Sequence, residues 1–473
     1  MAGWKEFYAQ IRDPSWPDCA EERDFFSLPV RIQNECREIF GYRPGQFAKA
    51  DPLPHRPFPI KTATACQLKW TWSTVYLTTE KTASCHRTNH HKFDAEKFDF
   101  HNTPNKLRDR QKMLQGEWPD AGCEYCRNIE QAGGISDRLT NLDLIGVHAP
   151  IELDHDPTAI EVTPRILEIY FDNTCDLKCL YCGPHFSSAW EAESNKYGTF
   201  GKDGLIIEST WTKSNNIDRN KTKLFSWLSG NIDKLSALNV LGGEPTYQDE
   251  LDQVLDLLDQ HPAPHLKLQM FSNLNSKPGR LRSIVERVNG LINDDKLREL
   301  EITGSLDCWG PAQEYVRYPL NLDRWQENFE YLLDQSWVRL IVSSTVTPLT
   351  VKTLPDLLAK IKKWNETRTV YHYQNSVNAP SHMFIDIFGD IFREDFNRAL
   401  DLKLTRTPEE ISSKRYLEGI AKQSYSRVPN VKEIKNLYLF LEEMDRRRKT
   451  DWRQTFTWLE DEFKKHEIIG EKS

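Results

Sequence analysis

Cys175, Cys179 and Cys182 are the side chains in this chain best placed to do chemistry. They fall in the run Cys175-Asp176-Leu177-Lys178-Cys179-Leu180-Tyr181-Cys182, a C-x3-C-x2-C spacing. Three thiolates on one short loop suit an iron–sulfur cluster, whose irons take soft ligands from converging directions. Three ligands for a four-iron cubane leave one iron open to a second molecule. A structural zinc site takes four ligands, and no fourth Cys or His follows within this loop. Buried apolar thiols are the plainer alternative.

A second constellation lies upstream. Cys66 and Cys85 flank a hairpin-like stretch, and Cys123-Glu124-Tyr125-Cys126 adds a C-x2-C pair. Four thiolates fit either zinc or a [4Fe–4S] cluster, and spacing does not choose between them. His86, His90 and His91 are nearby, but with four cysteines at hand they read as surface or loop residues. Cys19 and Cys36 read as incidental. Further along, Leu241-Gly242-Gly243-Glu244-Pro245 closes a strand-like segment; Gly-Gly marks a turn and allows unusual φ and close backbone contact. Ser272-Asn273 and Ser305-Leu306-Asp307-Cys308-Trp309-Gly310 follow later strand-like runs, with Glu314-Tyr315-Val316-Arg317 after the second.

These groups need a frame. Short apolar runs at Ile166–Phe171, Leu235–Leu241, Leu266–Phe271, Leu300–Leu306, Leu340–Thr345 and Val370–Tyr373 are predicted strands. Helical spacing separates them at Leu251–Leu258, Leu281–Ile292, Leu322–Leu333 and Leu354–Lys363. The alternation predicts an α/β fold with a parallel sheet and right-handed crossovers. Upstream, Trp70 to Thr78 alternates like a strand, Lys81-Thr82-Ala83-Ser84 reads as a turn, and Lys106–Gln115 as a helix. Glu152 to Pro164 reads as a linker. The C-terminal part is helical, at Phe392–Leu402, Pro408–Ala421, Lys432–Arg448 and Trp452–Lys465. The run Asp445-Arg446-Arg447-Arg448-Lys449 reads as a solvated helix end, where cations are favoured. An acidic docking partner is its alternative.

Composition narrows the classes. The chain has 473 residues, room for one large domain with an accessory domain, or two to three domains. A net charge of −8 argues against a nucleic-acid partner, whose phosphates need Lys and Arg. No apolar run is long enough for a membrane helix. The first residues lack a basic-then-apolar signal pattern, and a cytoplasmic location is expected. In that compartment ten cysteines suit metal binding or chemistry better than disulfides.

The cysteine loop and the Gly242–Pro245 turn together resemble the signature of the radical S-adenosylmethionine (radical SAM) superfamily. The resemblance implies a partial (β/α)6 barrel over 160–388, with chemistry at the C-terminal strand ends. It implies that Cys175, Cys179 and Cys182 hold a [4Fe–4S] cluster whose open iron chelates SAM, and that reduction yields a 5′-deoxyadenosyl radical. By the same resemblance Tyr181 lies against the adenine, and Gly242, Gly243, Glu244 and Pro245 form the turn beside SAM, Glu244 accepting from its ammonium. Ser272 and Asn273 would reach the ribose, and the stretch containing Ser305, Asp307 and Arg317 the SAM carboxylate. Cys308 stands where the family pattern has Gly; it is either a hydrogen-atom donor to a substrate radical or a packing residue.

Cys66, Cys85, Cys123 and Cys126 resemble a twitch unit, half of a SPASM domain, which implies an auxiliary [4Fe–4S] cluster with zinc as the alternative. Such units usually follow the barrel, whereas here the unit spans 61–150 and precedes it, after an N-terminal extension over 1–60 and with a helical region at 389–473. The resemblance implies a ribosomal-peptide maturase that cross-links, epimerises, cleaves or splices a peptide or protein. Its implied partners are a small leader-recognition protein and an electron donor such as flavodoxin or ferredoxin. A radical SAM enzyme for a small metabolite and a non-catalytic iron–sulfur or zinc protein are the alternatives.

Overall fold

The computed structural model describes residues 8–9, 62–131, 136, 138, 159–209, 211–425 and 427–470. Cys19, Cys36 and part of the expected linker lie outside the described residues. The chain divides into two compact units. Met1–Tyr76, Glu80–Glu168 and Asp218–Ala237 form one; Leu77–Thr79, Ile169–Ile217 and Leu238–Ser473 form the other.

In the first unit the helix Gln67–Thr71 runs directly into β1 (Trp72–Tyr76), so the expected strand from Trp70 starts later than its alternation suggests. β1 pairs antiparallel with β2 (Lys81–Ala83), which pairs antiparallel with β3 (His91–Lys92). The segment read as a turn is therefore a strand. Three residues are too few to display a period of two. Thr82 is held by its hydroxyl as well as its ladder, donating to Thr74 O at 2.8 Å and Phe100 O at 3.0 Å. The helix Pro104–Leu114 starts on Thr103, whose side chain accepts from Lys106 N, with Pro104 in its first turn. It places Met113 in a core with Ala65, Leu68, Trp70 and Val162. Lys106 is buried, and its ammonium donates to Ser73 Oγ, Thr82 Oγ1, Ala83 O and Phe100 O within 2.7–3.0 Å. Those four acceptors offset the cost of enclosing it.

The second unit is a mixed α/β fold with many helices. Its strands are β4 (Ile166–Tyr170), the hairpin β5 (Phe200–Lys202) and β6 (Leu205–Ile207), then β7 (Ala237–Leu241), β8 (Ala263–Ser272), β9 (Leu297–Ser305), β10 (Arg339–Val346) and β11 (Val370–Ser376). Apart from the hairpin they lie side by side in chain order, β4-β7-β8-β9-β10-β11, and β8 through β11 pair in parallel. Helices Asp249–Gln260, Pro278–Asn293, Leu322–Leu333 and Leu354–Thr367 make the returns that parallel neighbours require. Consecutive residues of β9, Leu300 through Thr303, are all buried, as expected of a sheet covered on both faces.

On β11, His372 Nδ1 faces Lys403 Nζ at 2.9 Å, and His372 Nε2 meets Ser344 Oγ at 2.8 Å. Burial pulls the Lys403 ammonium down to about 7.

The C-terminal helices are Arg393–Leu402, Pro408–Tyr425, Val431–Arg448, Trp452–Thr455 and Thr457–Lys465. The last two were expected as one. Phe456 breaks them because its ring is buried edge-on to Tyr315, at 5.2 Å between centroids. The basic run is not a solvated end either. Arg446 is exposed, but the side chains of Arg447 and Arg448 are each 1% exposed, because Glu443 and Glu193 neutralise them inside the fold. Among the described residues no helix is long and apolar enough to cross a membrane.

Candidate functional site

The loop carrying Cys175, Cys179 and Cys182 leaves the C-terminal end of β4 and ends at the helix Ser188–Tyr197. That helix fixes the loop from below. Ser187 caps it by accepting from Trp190 N, and its hydroxyl donates to Leu177 O at 2.6 Å. Ser188 Oγ accepts from Cys175 N at 3.1 Å, and Trp190 Nε1 donates to Cys179 O at 2.8 Å. A second clamp comes from after β9, where Tyr318 O accepts from Lys178 N at 2.6 Å and Val316 O from Leu180 N at 2.8 Å.

The Gly-Gly turn ending β7 closes against the same loop. Gly242 and Gly243 have φ of 83° and 59°. A Cβ on Gly243 would lie 2.1 Å from Thr174 O, so no side chain fits there. Glu244 N donates to Thr174 O at 2.7 Å. Gly243 thus admits the chain's own backbone one residue before Cys175, and Gly242 admits Tyr170 at the end of β4. Pro245, buried behind them, begins the short turn Pro245–Tyr247.

Glu244 is fully enclosed. Its Oε1 accepts from Thr246 N, Thr246 Oγ1 and Ser272 Oγ, and its Oε2 from Asn273 N at 2.6 Å. Burial nevertheless raises its carboxyl to about 7, outweighing those donors. Asn273 also donates from Nδ2 to Asp176 Oδ1 at 2.8 Å, and Asn275 Nδ2 donates to Asp176 Oδ2 at 2.6 Å. Asp176, inside the cysteine run, ties that run to the end of β8, a role that no local spacing in the sequence signals.

Beyond β9, Asp307 is buried and grips Arg317 in a fork, with Nε to Oδ2 and Nη2 to Oδ1 both at 2.8 Å. The Tyr181 hydroxyl donates to Asp307 Oδ2 at 2.6 Å, and Thr345 N donates to Oδ1 at 2.8 Å. The structure therefore joins Tyr181, Asp307 and Arg317 in one buried network beside the cysteines. Ser305 offers its carbonyl to Trp325 Nε1. Cys308 is completely buried, burial pushes its thiol far up although Thr353 opposes this, and the thiol meets Gln313 Oε1 at 3.7 Å.

Cys179 lies close enough to Cys175 and Cys182 to raise the pKa of both. Burial is the larger cause, and it carries Cys182 to about 12 and Cys175 well above its ordinary value. Arg317 and Arg448 pull Cys179 and Cys182 the other way. Left as thiols these groups stay protonated; a bound metal reverses this, because a coordinating thiol gives up its proton outright.

In the first unit Cys66, Cys85, Cys123 and Cys126 line one cleft enclosing about 420 Å³, part of it open to solvent. Cys66 precedes the helix Gln67–Thr71, Cys85 follows β2, and Cys123 and Cys126 open the helix Glu124–Gln131. Burial raises Cys66 to about 12 and Cys123 to about 11, with Cys85 adding to both. Lys69 and Arg138 line the same cleft, paired to Asp109 and Glu130. His86 also lines it. His90 instead meets Tyr76 Oη at 3.1 Å and His91 meets Thr103 Oγ1 at 2.8 Å. Among the described residues no three His, Cys, Asp or Glu side chains converge on a point that would hold a single metal ion.

No family model matches the chain, and no curated protein matches it. Partial likenesses occur among solved structures. Streptococcus suis SuiB bound to S-adenosylmethionine aligns with a TM-score of 0.32 and 14% identity, over 63% of this chain and 59% of that one. For anSMEcpe with bound AdoMet and the Kp18Cys peptide the TM-score is 0.31 and the identity 13%, over 57% and 64% of the two chains. With AdoMet alone, anSMEcpe gives 0.32 and 13%, over 58% and 66%. The chain thus spans less than two thirds of the length of each.

Proposed function

We propose that this chain is a radical SAM enzyme whose active centre is the loop of Cys175, Cys179 and Cys182. One observation carries the reading. Three thiols leave the C-terminal end of one strand and are clasped by residues at the C-terminal ends of the next strands, the position where strand–helix folds build their sites. The donor set fits a [4Fe–4S] cluster with one open iron. Bound there, such a cluster supplies the site that chelates SAM and the electron that cleaves it to a 5′-deoxyadenosyl radical.

The chain's own residues hold that site in shape. Gly242, Gly243 and Glu244 lock the β7 turn onto Thr174, and Glu244, Ser272 and Asn273 lock it onto β8. Asp307 fixes Tyr181 and Arg317. Glu244 and Arg317 already meet matching groups of the protein, so we assign them to building the walls of the SAM site. Cys308 has no exposed surface, and we give it a packing role. The six strands in chain order support a partial barrel.

We further propose that Cys66, Cys85, Cys123 and Cys126 hold an auxiliary cluster of twitch type, and that the substrate is a peptide or protein. The common cleft supports the first reading. The second rests on the resemblance of those cysteines to units found in peptide maturases. Anaerobically reconstituted protein should carry about eight irons per chain if both sites hold cubanes. Replacing Cys66 and Cys123 with Ser should remove about half of them. Zinc in place of that half would overturn the auxiliary cluster, and mass spectrometry of candidate peptides incubated with SAM and reductant tests the substrate.

A further inference from the structure

The basic run at the end of the helix Val431–Arg448 reaches into the fold. Arg448 lies beneath the cysteine loop, its side chain 1% exposed. Its Nε and Nη2 bond Glu193, at 3.3 Å and 3.0 Å to Oε1, and Lys178 Nζ bonds Glu193 Oε2 at 2.7 Å. Lys178 lies between Cys175 and Cys179 in the loop itself. The guanidinium also stands over the rings of Trp190, at 4.8 Å, and Tyr318, at 5.6 Å, the residues whose Nε1 and carbonyl clamp the loop. Glu193 is shared by the two cations, of which Lys178 keeps 20% of its side chain in solvent and Arg448 only 1%. Arg448 Nη1 is buried and has no hydrogen-bond partner among the described residues.

A buried N–H without an acceptor costs stability, and a buried cation without full compensation costs more. Both costs are offset if a negative group lies above the loop. Thiolates bound to iron are such a group, and sulfur accepts hydrogen bonds. Adding an electron makes the site more negative, so a nearby buried cation favours the reduced form. Charge interactions are strong where water is excluded.

Resting on the proposed function, we propose that Arg448 is a positioning residue of the cysteine site: it holds the loop through Glu193 and Lys178, and its buried charge eases the reduction that precedes SAM cleavage. The C-terminal helix is then part of the redox centre.

The test uses reconstituted full-length wild type, Arg448→Lys, and the double variant Arg448→Met with Glu193→Gln, which avoids stranding a buried carboxylate. Iron per chain is measured, and the midpoint potential of the SAM-site cluster is followed by electron paramagnetic resonance. Its signal is the one lost on replacing Cys175, Cys179 and Cys182. The expected result is a tenfold or larger shift of the reduction equilibrium against the reduced form in the double variant, about 59 mV for one electron. Arg448→Lys should recover more than half of it. Loss of this cluster's iron in the double variant but not in Arg448→Lys supports the proposal equally. Wild-type midpoints in both variants, or loss of the iron in both, overturn it. Wild type with no iron at these cysteines instead overturns the proposed function, and the role of Arg448 with it.

Discussion

Cys175, Cys179 and Cys182 share one loop, whereas Cys66, Cys85, Cys123 and Cys126 come from separate places between residues 66 and 126. The first set is local in sequence and held by distant chain: Thr174 by the β7 turn, Asp176 by Asn273 and Asn275, Lys178 and Leu180 by residues 316–318. The second set is distant in sequence and lines an open cleft. Each is attended by buried cations paired to carboxylates, Arg317 and Arg448 in one, Lys69 and Arg138 in the other. A loop that must keep one position open needs outside restraint to hold its shape. Four ligands from three places in the chain restrain one another once something binds them all. The first site should therefore be broken by changes far from its cysteines, and the second mainly by changes to the cysteines themselves.

The largest effect is expected at Gly243. Gly243→Ala drives a Cβ to 2.1 Å from Thr174 O at a φ of 59°, and backbone has to move. A loss of more than about 4 kcal/mol is expected by denaturant unfolding, through steric strain. Gly116→Ala in the first unit is the control: φ is 78° there too, yet nothing lies within 4 Å. It should cost only about 1 kcal/mol, the conformational penalty alone. Equal losses at the two positions would show that the close approach to Thr174 does not matter.

The ion pairs sharpen the contrast next. Asp307→Asn leaves the buried Arg317 without its carboxylate and should cost about 3 kcal/mol. Asp109, paired with Lys69 at the cleft, keeps 23% of its side chain in solvent. Because Lys69 itself keeps only 4% of its side chain in solvent, Asp109→Asn should still cost about 2 kcal/mol, less than at Asp307 because solvent reaches the carboxylate. A larger loss at Asp109 would reverse the ranking of the two sites as restrained and open.

Much of this frame is legible in the sequence. The six strands of the second unit fall within three residues of their expected starts, because their apolar runs are bounded by polar or Gly-containing turns. Leu322–Leu333 is a helix over its expected span, since its apolar spacing runs from cap to cap. What was not legible is whatever depends on burial by a distant partner. Arg448 reads as part of a solvated end because Glu193, which neutralises it, lies 255 residues away. Glu244 and Arg317 read as free to meet a ligand because nothing local shows that Ser272, Asn273 and Asp307 satisfy them first. The hairpin of β5 and β6 escaped notice because its strands have three residues each.

A further effect concerns a region remote from either set of cysteines. Lys403 is held near 7 by burial, below the usual range of a lysine, so the unfolded chain binds more protons than the folded one above that pH. Stability should therefore rise from pH 7 toward the lysine's ordinary range, by about 2 kcal/mol over two pH units. Lys403→Met should flatten that rise and leave iron content unchanged. A wild type whose stability falls over this window would contradict the sign.

The account stands most directly on SAM cleavage. Reconstituted wild type, incubated anaerobically with SAM and a strong one-electron reductant, should form 5′-deoxyadenosine, measured by chromatography and mass spectrometry. The variant with Cys175, Cys179 and Cys182 all changed to Ala should form none above the protein-free background, while keeping the iron held by the other four cysteines. Deoxyadenosine from the triple variant at the wild-type rate would contradict the account, as would its absence from a wild type that carries full iron.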